Sequence, residues 1–416
     1  MKSFFYRWTR RFGIFFVVLG PGLITAIADN DAGGIATYTV TASMFGIASQ
    51  FLVIPTTFVL GFTQEIGARI AVVTRKGLAD LIREQYGIRI AAVVFLFYFV
   101  VNQGVVLQNI SGLKASIRLL NIPWQLPLIL TCTVLVTTVV RFSYKSLQRI
   151  FLILIFFYLS YVAVAWLTKP DWVSLFQETV VPEKITLGLN FWFSIIAVLG
   201  TTITAWGQFF VSSYINDKKL SIEQMKYEKY EIYFGAFLTN VISYLIAVAV
   251  TQTLFNNHIV VSNAASAALA LKPLAGEGAF ILFSAGLFGA SLLGLTIIPL
   301  ATAYVFAELF GFEGSLDTDF RKGRLFYLFF ILQIGIALII TLFPQVNLFD
   351  ITLYVDFLNG AMLPLIFFFL AKFGSDKDLM GKYALSQPMK ITLYVVGFLI
   401  TSVVVLSTFG KIFGIN

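Results

Sequence analysis

The chain has 416 residues, 58% of them hydrophobic and only 12% charged, with a mean hydropathy of +0.88, more apolar surface than a soluble core of this size can hide. Its net charge of +8 is not gathered in a polar domain on which a basic nucleic-acid-binding face could form. A single cysteine, Cys132, and a single histidine, His258, exclude an internal disulfide and a thiolate or imidazole metal cage.

A helix needs roughly 20 apolar residues to cross a hydrocarbon layer of about 30 Å, and such stretches recur along the whole chain. Eleven spans are predicted, at 13–46, 48–74, 90–117, 124–142, 149–168, 189–213, 231–254, 277–308, 325–343, 346–372 and 391–411, which makes one all-α transmembrane domain over 1–416. The basic N-terminal stretch leads directly into the first span without a signal-type cleavage site, and reads as a retained helix. Between spans two and three, KGLADLIREQY (76–86) is amphipathic and is expected to lie as a short interfacial helix; 264–271 is a second weakly amphipathic piece before span eight.

Charge sets the expected orientation. With the N-terminus inside, the inner segments hold every Lys and Arg of the 29 except Lys114, Arg118, Lys169, Lys184, Lys272 and Lys411, so the positive-inside rule places the N-terminus in the cytoplasm and the C-terminus outside. The expected location is a plasma membrane, of prokaryotic type, with lipids against the apolar faces and no obligate protein partner.

The first span is interrupted by chemistry. Residues Gly20 to Gly34 read GPGLITAIADNDAGG, which sets Asp29, Asn30 and Asp31 in mid-membrane beside paired glycines. A carboxylate at the centre of a continuous helix costs about 2.5–3.5 kcal/mol on insertion scales, and Gly33-Gly34 is an easy place to unwind. Unwound backbone at membrane depth is tolerated where it lines a cavity or is buried in protein, and its freed carbonyls then serve as cation ligands. The plainer reading is that Asp29 and Asp31 cap the second half-helix; the two roles are compatible. Span six carries GTTITAWGQ (200–208), hydroxyls and an amide flanked by glycines. Hydroxyls in membrane helices also bond back to their own carbonyls or pack at small-residue interfaces. An interrupted first and an interrupted sixth helix are what two five-helix repeats of opposite topology produce, here about 13–168 and 189–372, with 391–411 as an extra helix.

These residues resemble the Nramp family of divalent-metal transporters, whose first span carries Asp-Pro-Gly-Asn after a Gly-Pro and whose sixth carries Met-Pro-His. The resemblance runs through most of the chain and implies a LeuT-type inverted 5+5 repeat with unwound helices 1 and 6. Aligning Gly20-Pro21 puts Asp31 on the family's metal-binding Asp and Gly34 on its Asn; Ala68 to Thr74 followed by Lys76-Gly77-Leu78 is also similar to a family stretch. Ala32 replaces the proline, Gly34 the asparagine, and Thr204-Ala205-Trp206 the Met-Pro-His triplet. Loss of the methionine sulfur leaves carboxylate, hydroxyl, amide and carbonyl oxygens, a hard set suited to Mg²⁺ or Mn²⁺ and without advantage for Cd²⁺ or Fe²⁺. Gly34 in place of Asn is expected to widen the pocket enough for a partly hydrated ion. The pattern is similar to the Nramp-related magnesium transporter branch. The expected metal residues are Asp31, Thr204, Asp29, Gly34 and Gln208, with Trp206, Asp356, Asn359, Asn109 and Thr202 as gate or supporting residues.

The resemblance implies a proton route through a span-six histidine and an acid pair in span three; those positions are Trp206, Val106 and Asn109, none of which titrates near neutrality. Uptake uncoupled from protons is therefore expected, with Mg²⁺ or Mn²⁺ as substrate and no cofactor. Asp356 and Asn359, three apart in span ten, share a helical face and serve either the site, a gate, or the outer interface. Glu65 and Arg69 are spaced i, i+4 and read as a structural ion pair. Gln103, Gln108 and Asn109 are expected to face the bundle interior, His258 an outer loop, and Cys132 apolar packing. An enzyme would need a nucleophile and base or His-rich ligation, absent here; a proton- or sodium-coupled carrier of a transition metal or a small organic substrate is the nearest alternative, and the crowded acids at 29 and 31 disfavour a substrate carboxylate.

Overall fold

The computed structural model describes residues 21–142, 144–182, 188–312, 314–316, 318, 320–343 and 351–413, so expectations for 1–20, Lys184 and 344–350 lie outside the described residues. Almost all of the described chain is helical. In order the α-helices are α1 Pro21–Ala28, α2 Ala32–Phe45, α3 Val53–Thr74, α4 Leu78–Leu119, α5 Gln125–Arg141, α6 Tyr144–Ile155, α7 Leu159–Leu167, α8 Trp172–Val180, α9 Leu189–Thr202, α10 Ala205–Asp217, α11 Met225–Thr253, α12 Ala264–Ala275, α13 Glu277–Phe310, α14 Arg324–Leu342, α15 Thr352–Gly374, α16 Lys377–Met380 and α17 Gln387–Phe413.

Eight helices among the described residues are long and apolar enough to cross a membrane, or nine if the pair Ala32–Gln50 and Val53–Thr74, bent by 92°, counts as one span. The sequence predicts eleven. Three predicted spans are missing from the eight: α5 has only 17 residues, and the first and second spans pass only together as the bent pair, the first being cut at 29–31 with its start beyond the described residues.

The predicted interfacial helix and span three form one continuous element, α4, kinked at Gly87, where φ is +77°. Only glycine adopts that conformation without strain, so the amphipathic turn Leu78–Tyr86 meets the span at an angle. Burial then sorts the helices. The broken span Leu189–Asp217 is 94% buried, whereas α17 is 22% buried and turns Phe398, Leu406 and Phe413 outward; an apolar exposed face of this kind suits lipid. The core is therefore built around α9 and α10, with α1, α2, α3, α4, α13 and α15 packed about them, and α11 packs in turn on α1, α2 and α3.

Two glycines make the tightest crossing. At Gly200 an added Cβ would collide with the Asp356 carbonyl and the Gly360 amide, and at Gly360 one would stand 2.6 Å from the Ile196 carbonyl. The backbones of α9 and α15 thus touch with no side chain between them, as small residues permit in membrane helices. This contact sets α15 against the break between α9 and α10.

Candidate metal site

Both predicted interruptions are present, but the first falls at 29–31 and not at Gly33-Gly34, which lie in the first turn of α2. The chain leaves α1 at Ala28, crosses Asp29 and Asn30 as a turn with Asn30 N–H bonded to the Ile27 carbonyl at 3.0 Å, and enters α2 through Asp31, an extended residue with φ −64° and ψ −174°. The second break is Ile203-Thr204, with Thr204 extended at φ −73° and ψ 145°. Each half-helix starts on a side-chain cap: Asp31 Oδ1 accepts from Gly34 N–H at 2.9 Å, and Thr204 Oγ1 from Gly207 N–H at 3.0 Å. Of the two acids, Asp31 is the one that caps the second half-helix.

The breaks meet through Asp29. Its Oδ1 accepts the Thr204 hydroxyl at 2.6 Å, while its Oδ2 is buried without a hydrogen-bond partner. Asp31 differs: Oδ1 is spent on the cap and Oδ2 accepts from Asn109 Nδ2 at 2.6 Å. Asn109 also accepts from Ala32 N–H at 3.1 Å, so a single amide on α4 fixes both the carboxylate and the first turn behind it. Asn30 points the opposite way, donating to the Thr239 carbonyl and hydroxyl, both at 2.7 Å, and accepting from Ser243 at 3.0 Å. Its own carbonyl receives the Tyr158 hydroxyl at 2.9 Å.

Gln208 lies one turn beyond Thr204, fully buried, with neither amide atom partnered; Trp206 is fully buried with a free Nε1. Buried polar groups left unpaired cost about 1–3 kcal/mol each. Asp29 Oδ2 and the Gln208 amide are thus oxygen and nitrogen functions placed at the break without protein partners, which a cation with its water ligands satisfies.

Gly34 does not mark open space. A Cβ there would stand 2.8 Å from the Asp29 carbonyl oxygen and 2.9 Å from Thr201 Oγ1. The room expected for a wider pocket is filled by two further hard oxygen atoms, of which Thr201 was not singled out by the sequence.

α15 touches both breaks. Asp356 Oδ2 accepts the Thr37 hydroxyl of α2 at 2.5 Å and Oδ1 accepts Gln108 Nε2 at 3.2 Å, while Asn359 Oδ1 accepts Ala205 N–H, the first amide of α10, at 2.8 Å. Both side chains are buried, held by polar partners on α2, α4 and α10. Thr202 accepts the Tyr38 hydroxyl at 2.8 Å while donating to the Val198 carbonyl, tying α2 to α9. Glu65 is confirmed in an ion pair with Arg69 and also meets Lys229 at 3.1 Å and the Tyr233 hydroxyl at 3.0 Å, a link between α3 and α11 away from the breaks. His258 is a left-handed residue ending a short turn after α11, and Cys132 is buried in α5. Among the described residues no group of three or more His, Cys, Asp or Glu side chains gathers with metal-holding geometry.

The supporting residues Thr239, Ser243, Thr37 and Tyr158 were not identified from the sequence. Thr239 and Ser243 were within reach, being polar and four apart on one face of an apolar helix; Thr37 and Tyr158 carry no such spacing signal.

Residues 22–410 match the family described as natural resistance-associated macrophage protein-like, Nramp. The structure is similar to a crystal structure of the Eremococcus coleocola manganese transporter in complex with an aromatic bis-isothiourea compound, at a TM-score of 0.72 and 15% identity over 97% of this chain and 89% of that one. It is also similar to Mhp1, a nucleobase-cation-symport-1 family transporter in a closed conformation with bromovinylhydantoin bound, at a TM-score of 0.61 and 14% identity over 94% and 90%. At such identities the likeness is one of fold.

Proposed function

The chain belongs to the Nramp family, and from that premise we propose that it carries a divalent metal cation, Mg²⁺ or Mn²⁺, across a membrane, as a member of the magnesium-transporting branch. The observation that carries this reading is Asp29 Oδ2, a buried carboxylate oxygen without a partner where two interrupted helices meet. Asp29 and Asp31 supply the charge; Thr204, Gln208, the Asp29 carbonyl and waters complete a hard oxygen shell, with Gly34 allowing the backbone to close in. Every one of these donors is oxygen, which favours Mg²⁺ and Mn²⁺ over soft ions.

The two breaks are read as the unwound helices 1 and 6 of an inverted 5+5 repeat, with the arginine-rich end of the bundle (Arg75, Lys76, Arg83, Lys219) in the cytoplasm on the positive-inside rule. Movement is uncoupled from protons. Asn109 is committed as an amide to Asp31 and to Ala32, and Trp206 and Val106 offer nothing to titrate. A 2+ ion gains about 4.6 kcal/mol per 100 mV of membrane potential, enough for roughly 10³-fold accumulation without a second ion. The acids at the break repel a carboxylate-bearing organic substrate.

The test is uptake of Mg²⁺, Mn²⁺, Ca²⁺ and Cd²⁺ into proteoliposomes under an imposed potential, with internal pH followed in parallel. Saturable Mg²⁺ and Mn²⁺ uptake that Asp31→Ala abolishes, without acidification of the lumen, is expected. Acidification that scales with Mn²⁺ flux would overturn the uncoupled reading, and absence of any divalent flux would overturn the function.

A further inference from the structure

A polar stripe descends from the metal site along α10. Thr204, Gln208, Ser212 and Asn216 recur every fourth residue and so share one face of the helix. At its upper end Thr204 meets Asp29 and Gln208 is buried with both amide atoms unpartnered. At its lower end Asn216 lines a cavity of about 560 Å³ shared with Arg75, Asp80, Arg83, Asp217 and Glu308.

What lies across the stripe between these ends is the first turn of α4. Leu78 N–H donates to Ser212 Oγ at 3.1 Å, and the Leu78, Leu81 and Ile82 side chains are fully buried. The next amides, of Ala79 and Asp80, face the carboxylate of Glu308 near the end of α13, beside the Ser213 hydroxyl. The turn opens on Gly77, which has no side chain to cap it. A Cβ at Gly77 would collide with the Glu308 carboxylate, so the glycine is what lets that carboxylate reach the turn. A helix start is ordinarily capped by its own N-cap side chain; here Asp80 Oδ2 accepts the Gly77 N–H at 3.4 Å, but the acceptors for the Leu78, Ala79 and Asp80 amides come from two other helices, α10 and α13, and that part of the cap is therefore separable by their relative movement. Glu308 Oε2 is buried with no hydrogen-bond partner, so the clamp leaves one of the two carboxylate oxygens unused.

We propose that the first turn of α4, Gly77 to Asp80, is the inner gate of the cation path along the Thr204–Gln208–Ser212–Asn216 face, and that Glu308 and Ser212 are its latch. The inference rests on the carrier reading above, since a gate matters only where a cation passes. It assigns Glu308 a positioning role: it releases the turn for the cation to leave and clamps it again afterwards.

The experiment reads access rather than flux. In a Cys132→Ser background, Gln208→Cys places one thiol above the gate, and a membrane-impermeant methanethiosulfonate is applied separately to each face of proteoliposomes. Adding Glu308→Ala or Ser212→Ala is expected to speed modification from the Arg75 face at least tenfold, with Glu308→Gln, which keeps an acceptor oxygen, intermediate. Unchanged rates in either monodisperse alanine variant, or acceleration confined to the opposite face, would overturn the gate. If Glu308→Ala does not yield folded protein, Ser212→Ala decides alone. Because labelling needs no metal, its failure is distinct from a failure of the transport reading, which uptake measures.

Discussion

Replacing Asp29 by Asn separates the two tasks this residue performs. The amide oxygen can take over the place of Oδ1 and accept the Thr204 hydroxyl, now at 2.6 Å from the carboxylate, and the NH₂ group occupies the position of Oδ2, which has no protein partner to lose. Two consequences follow with opposite signs. Folding is relieved of a buried negative charge, a relief bounded by the insertion cost of about 2.5–3.5 kcal/mol, so the metal-free variant should melt no lower than the parent. Cation binding loses a unit charge: with an effective dielectric constant of 20, attraction at 4 Å between unit charges is on the order of 4 kcal/mol, or roughly 10³-fold in dissociation constant, and the double charge of the ion offsets what its desolvation costs. The assay is thermal unfolding in detergent across a Mn²⁺ and a Mg²⁺ titration, where a ligand at 100 times its dissociation constant stabilises by about 2.7 kcal/mol. The parent should show a metal-dependent rise in melting temperature that the variant lacks over the same concentrations. An apparent affinity within threefold of the parent would refute the assignment of Asp29 as a ligand and return that role to Asp31 alone.

The remaining expectations concern selectivity and packing. Thr204→Met exchanges the hydroxyl that donates across the breaks to Asp29 for a thioether, and should move relative uptake toward Cd²⁺ and away from Mg²⁺; an unchanged selectivity series in proteoliposomes would remove Thr204 from the shell. Gly200→Ala drives a methyl group into the α15 backbone at Asp356 and Gly360, and should cost 3 kcal/mol or more, beyond the usual range of about 1–3 kcal/mol for overpacking because neither backbone can give way. Thermal unfolding reads it, and a loss under about 1 kcal/mol would show that the α9–α15 contact yields.

The interruptions were legible from acids that hydrocarbon rejects and from a hydroxyl that can cap a new helix, whereas Gly33-Gly34, expected to unwind, are part of the first turn of α2. Helix positions followed from length and hydropathy alone, and the expected C-terminal ends of spans three, seven and eight lie within a few residues of those of α4, α11 and α13. Which acid keeps an uncommitted oxygen was not legible. That distinction depends on Asn109, 78 residues from Asp31 in the chain, and on whether a local N–H of the second half-helix consumes the other oxygen. The asymmetry between Asp29 and Asp31 is thus a property of packing. The same holds for Gly34, where a missing side chain read as space and the fold supplied a carbonyl and a hydroxyl, and for Glu308, whose partner turn begins with a residue that has no side chain to advertise the contact.

The pairing of Asp356 with Thr37 and Asn359 with Ala205 has a mechanical consequence. Both grips are on one rigid rod, which advances 1.5 Å per residue, and a hydrogen bond tolerates only a few tenths of an ångström before it weakens. A slide of α15 by a single residue therefore unfastens both half-helices in the same stroke. Through such a slide, loosening at one half-helix is carried to the other by geometry alone.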